Sequence, residues 1–538
     1  MVKHNRKSAA KFAGQSLAQG ASRRDVLKML LASGMGVAGS NLILGGAMQA
    51  HASVPNRGGH IRVGVRAGST SDTLDPATFV NGFIRTVAYG MCNGLFEIRS
   101  DNSLGGDLIE SWEPRPGAAE WVFKLRSGVE FHNGKSLDAS DIIASINHHR
   151  GETTKSGLKA PLSGIDEIIK NDEQTITFKL KSGNADFPYV FTDYRLVVMP
   201  SNADGSLDWQ AGVGTGGYVL KNLEPGVSAE LERFPGYWRQ GHANFDSARV
   251  LVVPDVGTRQ TSLISGELDV IDQIDFKTLS LLKRQSSINV VDTTGARHYT
   301  FPMNTQADPF KSNDLRLALK YGIDRKAMLH TLLRGYGSIG NDHPVAPSHE
   351  FYAADIEQRS YDPDKAKFHL KKAGFDNISI DLSVSDSLYP SAVDGAVLYK
   401  ENMVPVGIDI NVVREPGDGY FSNVWMKKPF IASYWGARPT ADLILSTAYT
   451  SGAPWNDSYL DNARLTSLIN DARSEIDSAK RNKMYREIQI ILRDEGGTVI
   501  PVFANNVFAI SDRVGHKETI AGNWELDGGR VLDRWWFK

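Results

Sequence analysis

Trp121-Val122-Phe123-Lys124-Leu125-Arg126-Ser127-Gly128-Val129-Glu130-Phe131-His132-Asn133-Gly134-Lys135 is the stretch on which the fold turns. Trp121, Phe123 and Leu125 fall on alternate positions, the period of a strand with one buried face. Val129 and Phe131 keep that spacing, and Asn133-Gly134 supplies a hairpin-type turn. Upstream, Gly58-Gly59-His60-Ile61-Arg62-Val63-Gly64-Val65 alternates in the same way. Downstream, Ile176, Phe178 and Leu180 make a third set after the turn signal Asn171-Asp172. The early chain therefore reads as strands and turns.

Farther along, helices enter. Asp324 is an N-cap for a helix over 325–334 that Gly335 stops. Asp362-Pro363-Asp364 opens a helix that runs to Gly374, with Ala366, Leu370 and Ala373 at helical spacing. Met484, Ile488, Ile491 and Leu492 mark an amphipathic helix that ends at Gly496-Gly497. Short apolar runs over 378–384 and 408–413 lie between as strands, so the pattern predicts an α/β architecture. Val499-Ile500-Pro501-Val502-Phe503 is a late strand that returns the chain to the first domain. No repeat and no low-complexity linker is present, which predicts closely packed domains.

The chain has 538 residues, of which 41% are hydrophobic and 23% charged. That composition excludes a wholly disordered chain and a multi-span membrane protein, and the length predicts roughly two to four domains. The charge is unevenly spread. Residues 1–52 carry seven bases and one acid, a net +6, which leaves −8 on the rest. A mildly acidic body does not suit sequence-independent nucleic-acid binding, so no nucleic-acid partner is expected. The single cysteine, Cys92, permits neither an internal disulfide nor a thiolate zinc cluster, and reads as a small buried hydrophobe.

The basic leader has a pattern of its own. Ser22-Arg23-Arg24-Asp25-Val26-Leu27-Lys28 precedes a weakly apolar stretch over 29–48 that five glycines dilute. Ala50-His51-Ala52 places small residues at the −3 and −1 positions of a signal-peptidase site. This resembles a twin-arginine export signal over 1–52, carried by Arg23, Arg24, Ala50 and Ala52. The alternative is an N-terminal membrane anchor, since about 20 residues can span a bilayer. The glycines and the cleavage triplet favour export, which implies a periplasmic mature chain starting near Ser53 and the twin-arginine machinery as a partner.

Chemistry is harder to find. Gly212-Val213-Gly214-Thr215-Gly216-Gly217 has the spacing of a dinucleotide loop, but Tyr218-Val219-Leu220 continues as a strand where phosphate binding needs a helix N-terminus. His148-His149 and His343…His349-Glu350 lack the helical spacing of a zinc hydrolase and read as surface histidines. No nucleophile elbow or phosphate loop occurs. No catalytic residue, metal or cofactor is expected. Trp425, Tyr434, Trp435, Tyr449 and Trp455 crowd into about thirty residues, either as core or as a ligand cleft.

Taken in order, several segments resemble one family, the extracellular solute-binding proteins of the peptide/nickel type (family 5) that serve ABC importers. They are the strand over 58–65 with Thr73-Leu74-Asp75-Pro76; Asn93-Gly94-Leu95-Phe96-Glu97; Leu108-Ile109-Glu110-Ser111-Trp112-Glu113; and the opening stretch from Phe123 to Lys135. Gly214-Thr215-Gly216-Gly217-Tyr218, Gly236-Tyr237-Trp238, Leu263-Ile264-Ser265-Gly266-Glu267-Leu268-Asp269, Asp308-Pro309-Phe310, Tyr321-Gly322-Ile323-Asp324-Arg325 and Tyr361-Asp362-Pro363-Asp364-Lys365-Ala366-Lys367 follow. The resemblance implies a two-lobed periplasmic binding protein of type II, cluster C-like, with an extra subdomain on lobe one. Lobe one is placed at 54–254 plus 500–538, and lobe two at 255–499. It implies a monomeric receptor that closes on a solute and docks on inner-membrane permease subunits, with no chemistry of its own.

The resemblance also implies site residues. In peptide-binding members an aromatic residue and a following Asp in lobe two hold the ligand, the Asp pairing with its α-amino group. Here the segment is Tyr434-Trp435-Gly436-Ala437-Arg438-Pro439-Thr440-Ala441-Asp442. Trp435 matches, but the Asp position holds Arg438, whose guanidinium suits an anion instead of an ammonium. Asp442 is a candidate for the amine role. Tyr434, and by their motifs Phe79, Asn81, Asn304 and Phe503, complete the expected contacts. The expected solute is a peptide or peptide-like molecule, with opines, sugars and anionic conjugates as alternatives. A secreted hydrolase and a chaperone or sensor of the same fold are the competing functions.

Overall fold

The computed structural model describes residues 55–152 and 154–538. The export signal with Arg23, Arg24, Ala50 and Ala52 lies outside them. The alternating segment near the N-terminus forms β1 (His60–Val65), with Ile61, Val63 and Val65 buried. Asn81 caps α1 (Gly82–Met91), accepting from the Ile84 amide at 3.1 Å, and α1 is buried from Phe83 to Met91.

The opening stretch belongs to a subdomain of its own. β2 (Ile109–Pro114), β3 (Glu120–Leu125), β4 (Ile165–Asp172) and β5 (Thr175–Leu180) form an antiparallel sheet in the order β2-β3-β5-β4. Trp121, Phe123 and Leu125 point to one face as their spacing predicts. There they meet Phe96, Phe178, Phe187 and Phe191 in an aromatic core, with Phe123 5.0 Å from Phe178 and 5.1 Å from Phe96. Gly134 takes the turn with φ +85°.

The chain then returns to the first sheet as β6 (Tyr218–Glu224), β7 (Ser228–Arg233) and β8 (Ser247–Val252), the last parallel to β1. The glycine run before β6 is a packing device, because a Cβ at Gly214 or Gly216 would strike the Met91–Cys92 backbone. α2 (Val256–Ser265) and β9 (Val270–Ile271) follow, and β9 pairs with β1. The expected lobe boundary at 254/255 is therefore corrected. Leu263, Leu268, Ile271 and Leu282 pack with Ile288 and Ala509 on the first lobe, which keeps the chain to about residue 293. The reason is a strand pairing between Val63–Gly64 and Val270–Ile271, more than 200 residues apart, that no local pattern announces.

The crossing is made by β10 (Ile288–Pro302), fifteen residues long. In the second lobe come α3 (Asn313–Tyr321), α4 (Arg325–Leu333), β11 (Gly337–Ile339), α5 (Pro363–Lys372), β12 (Ile378–Val384), α6 (Ala392–Met403) and β13 (Ile408–Arg414). β12 and β13 are parallel with α6 as their crossover. Asp324 and Asp362 cap α4 and α5 as their positions predict. β14 (Ser433–Trp435), α7 (Ala441–Ala448), α8 (Ala463–Ser474) and α9 (Ser478–Glu495) lead to β15 (Thr498–Ser511), which runs antiparallel to β10 and recrosses.

β10 and β15 thereby sit in both lobes. Val291 with Phe508 and Ile510 joins the first core, while Tyr299 and Phe301 with Val499, Val502 and Ala504 join the second. Their ladder breaks register between Thr293 and Arg297, which marks the hinge. The full sheet order is β14-β10-β15-β9-β1-β8-β7-β6, with β11 on β15. A buried lysine closes the second lobe: Lys320 Nζ donates to the carbonyls of Leu492, Arg493 and Gly496 at 3.1, 3.0 and 2.8 Å, capping the C-terminus of α9. Among the described residues no helix is long and apolar enough to cross a membrane.

Candidate ligand-binding site

β14 is the edge strand that carries the aromatic pair. Its register on β10 sets Trp435 opposite His298, and β15 sets Phe503 opposite the same His298. Residues directly paired across a sheet share a face, so Trp435, His298 and Phe503 stand in a row, and the His298 and Phe503 rings are 5.2 Å apart. Beyond Trp435 the chain turns through Gly436 and Ala437 to Arg438, then into α7, which Thr440 caps at 3.2 Å.

Arg438 is half-buried, with its guanidinium carbon 6.0 Å from the Trp435 ring. It donates only to the carbonyls of Gly436 and Ala437, both at 3.3 Å. Burial alone lowers its pKa, and no acid holds it up. A desolvated guanidinium facing no carboxylate is costly, and this cost is recovered if an anion pairs with it.

His349 touches the Arg438 backbone, and the Arg438 charge reaches His298, which in turn feels His349 and His343. His349 Nε2 donates to the Arg438 carbonyl at 2.9 Å, while its Nδ1 accepts from the Ala346 amide at 3.1 Å. His298, His343 and His349 are each driven down to a pKa of about 4, by burial first, and the charges of Arg438 and its neighbours press His298 the same way. All three are neutral near pH 7. The reading of His343 and His349 as surface groups is thus corrected: they are 1% and 7% exposed. Among the described residues no group of three or more His, Cys, Asp or Glu could hold a metal ion.

The other expected contacts lie elsewhere. Asp442 is 4% exposed and paired to Arg473 Nε at 3.1 Å, so it is not free for an amine. Tyr434 projects to the opposite face of β14, 6.2 Å from Phe421 and 5.8 Å from the Arg297 guanidinium. Phe79 is 1% exposed in the first core, and its carbonyl accepts from Arg195 Nε at 2.9 Å. Asn81 is spent on capping α1 and on Asp72 at 2.7 Å. Asn304 folds onto the Gln306 amide at 2.9 Å. It lies six residues beyond His298 along an extended chain, about 20 Å away. The structure therefore joins Trp435, Arg438 and Phe503 and adds His298, His343 and His349. Nothing in their spacing distinguishes these histidines from ordinary strand and loop residues.

The lobes also meet away from the hinge. Asp186, on the subdomain, pairs with Arg481 of α9 at 2.8 Å, and the Ala185 amide donates to the Arg473 carbonyl at 2.6 Å. Arg481 is held from its own side by the Ala472 carbonyl at 3.1 Å and by the Phe351 ring at 4.6 Å. Burial raises the carboxyls of Asp186 and Glu350, and pushes Asp442 up to about 6.

Comparison with known proteins gives the family and the fold. Residues 103–457 match the bacterial extracellular solute-binding proteins, family 5 middle region. A glutathione-binding protein GsiB of Pectobacterium atrosepticum is 25% identical over 446 residues, covering 79% of this chain and 85% of that one. HbpA2 from Haemophilus parasuis superposes with a TM-score of 0.77 at 19% identity, over 89% of this chain and 100% of that one. AgaA from A. tumefaciens, solved with agropinic acid, gives a TM-score of 0.68 at 22% identity, over 89% and 99%. The family match spans well over half of the sequence, and the chain belongs to the bacterial extracellular solute-binding proteins of family 5, two-lobed receptors that serve ABC importers and are not enzymes.

Proposed function

We propose that this receptor captures a small peptide-like solute by a carboxylate, closes its lobes over it and hands it to permease subunits in the inner membrane. The observation that carries the reading is the half-buried Arg438 guanidinium beside Trp435, which has two backbone carbonyls at 3.3 Å and no acidic partner. A planar fork in a water-poor site pairs best with a planar anion. Trp435 and Phe503 give that anion an apolar surround, as solute pockets require. The relative named for glutathione and the neighbour solved with agropinic acid are both consistent with an acidic solute. The capture of Asp442 by Arg473 argues against an amine-first orientation.

Calorimetry tests this with reduced glutathione, agropinic acid and the peptide Ser-Thr-Ser-Ala on wild type and Arg438→Ala. A buried charged hydrogen bond contributes about 1.5–3 kcal/mol, so the variant should bind the accepted probe roughly 10–100-fold more weakly. Equal affinity in the two proteins overturns the role of Arg438.

Export belongs to the same proposal. Ser22-Arg23-Arg24-Asp25 and Ala50-His51-Ala52 support twin-arginine transport with cleavage near Ala52. Replacing Arg23 and Arg24 by lysine should hold the precursor in the cytoplasm, and N-terminal sequencing of the exported chain should begin near Ser53. The mature receptor is proposed to work as a monomer, since its own two lobes enclose the solute; light scattering with one-chain mass checks this.

A further inference from the structure

We propose, resting on the Arg438 reading above, that His298 and Ser338 set the solute's orientation: it enters by its carboxyl end, and His298 Nε2 accepts the N–H next to the carboxylate that Arg438 holds.

The register places the groups. Trp435, His298, Phe503 and Ser338 are directly paired across β14, β10, β15 and β11, so they line one face of the sheet in that order. Small side chains border the row: Ala296, Ala346 and the partly buried Ala437 pack around Phe503 and Ile500. Arg438 stands over the Trp435 end.

The hydrogen-bond pattern gives the direction. His298 Nδ1 lies 3.1 Å from the Ala296 carbonyl. A carbonyl only accepts, so Nδ1 carries the hydrogen and Nε2 of the neutral ring is a bare acceptor. Nε2 is buried and makes no hydrogen bond within the protein, and the same is true of Ser338 Oγ. The groups whose charge reaches His298 do not answer it: Arg438 donates to the Gly436 and Ala437 carbonyls, and His349 Nε2 to the Arg438 carbonyl. Buried polar atoms that stay unpaired cost stability unless a partner arrives. The site thus offers a donor-only group, Arg438, beside an acceptor-only group, His298 Nε2.

The complement is an anionic acceptor adjoining an N–H donor. The last residue of a peptide has that arrangement, a carboxylate one carbon from its own amide N–H. A leading ammonium does not, because it would meet the guanidinium first. From His298 to Ser338 is two strand spacings, roughly 10 Å, which is about three extended residues. The row therefore reads a solute of about tripeptide length, with Ser338 Oγ meeting its other end.

The test first alters the probe, which leaves the protein untouched, and then removes the acceptor. The probes are reduced glutathione, glutathione amidated at its glycine carboxyl, and glutathione with sarcosine in place of glycine, which lacks that N–H. Wild type should lose about tenfold in affinity for each modified form. In His298→Phe, which keeps the ring and removes the acceptor, glutathione should bind about tenfold more weakly and the sarcosine penalty should shrink towards none. If wild type binds glutathione and the sarcosine form equally, or if the penalty persists in His298→Phe, the orientation is wrong while the Arg438 reading stands. If only the amidated form binds normally, both fall. If none of the peptide probes binds wild type, the peptide-like reading falls and takes this inference with it.

Discussion

Removing the carboxylate of Asp186 should open the molecule without unfolding it. Asp186 is the subdomain's side of an ion pair between the lobes, 2.8 Å from Arg481, and both side chains are under 10% exposed. In Asp186→Ala the Arg481 guanidinium keeps the Ala472 carbonyl and the Phe351 ring but loses its counter-charge. Breaking a buried pair by deleting one partner costs about 3–5 kcal/mol. That penalty applies only while the lobes are shut, since opening returns Arg481 to water. The closed-to-open ratio should therefore fall by roughly a hundred- to a few-thousandfold. Small-angle scattering should show a larger radius of gyration than wild type, with the far-ultraviolet spectrum unchanged. The double variant Asp186→Arg/Arg481→Asp, which restores the pair with its signs exchanged, should recover part of the compaction. Wild-type scattering from Asp186→Ala would refute the view that this pair holds the lobes together.

Two further outcomes follow from buried charges. Lys320→Met deprives three carbonyls at the end of α9 of their donor; denaturant unfolding should show a loss of about 2–4 kcal/mol, and an unchanged midpoint would show the cap to be dispensable. Burial raises the Asp442 carboxyl to about 6, so between the ordinary carboxylate range and that value the folded protein holds a proton the unfolded chain has released. Stability from this group is present below about pH 4 and is lost as pH rises through about 6, by up to roughly 3 kcal/mol. The wild-type minus Asp442→Asn difference in unfolding free energy, measured across that window, should fall with pH; a flat difference would contradict the assignment.

Much of the fold is written locally. The alternation of Trp121, Phe123 and Leu125 names a strand and its buried face, and Asp324 and Asp362 cap the helices they precede. Trp435 and Arg438 stand out because a known pattern is kept at one position and broken at the other. What escaped was set by distance along the chain. β9 belongs to the first lobe because Val270 and Ile271 pair with Val63 and Gly64, and the helical pattern of 255–282 fits either lobe equally. His298 and Ser338 gain meaning only from lying across β15 from each other. Phe79 and Asn81 show the opposite case: a motif fixes their neighbourhood, while the core and the helix cap take up their side chains.

The two long strands have a consequence for how the protein comes apart. β10 and β15 form one continuous ribbon that furnishes side chains to both cores, so neither half can melt while its share of the ribbon stays ordered in the other. The ladder breaks register at Thr293–Arg297, yet the molecule should denature as one cooperative body, because its two halves are tied by the same pair of strands.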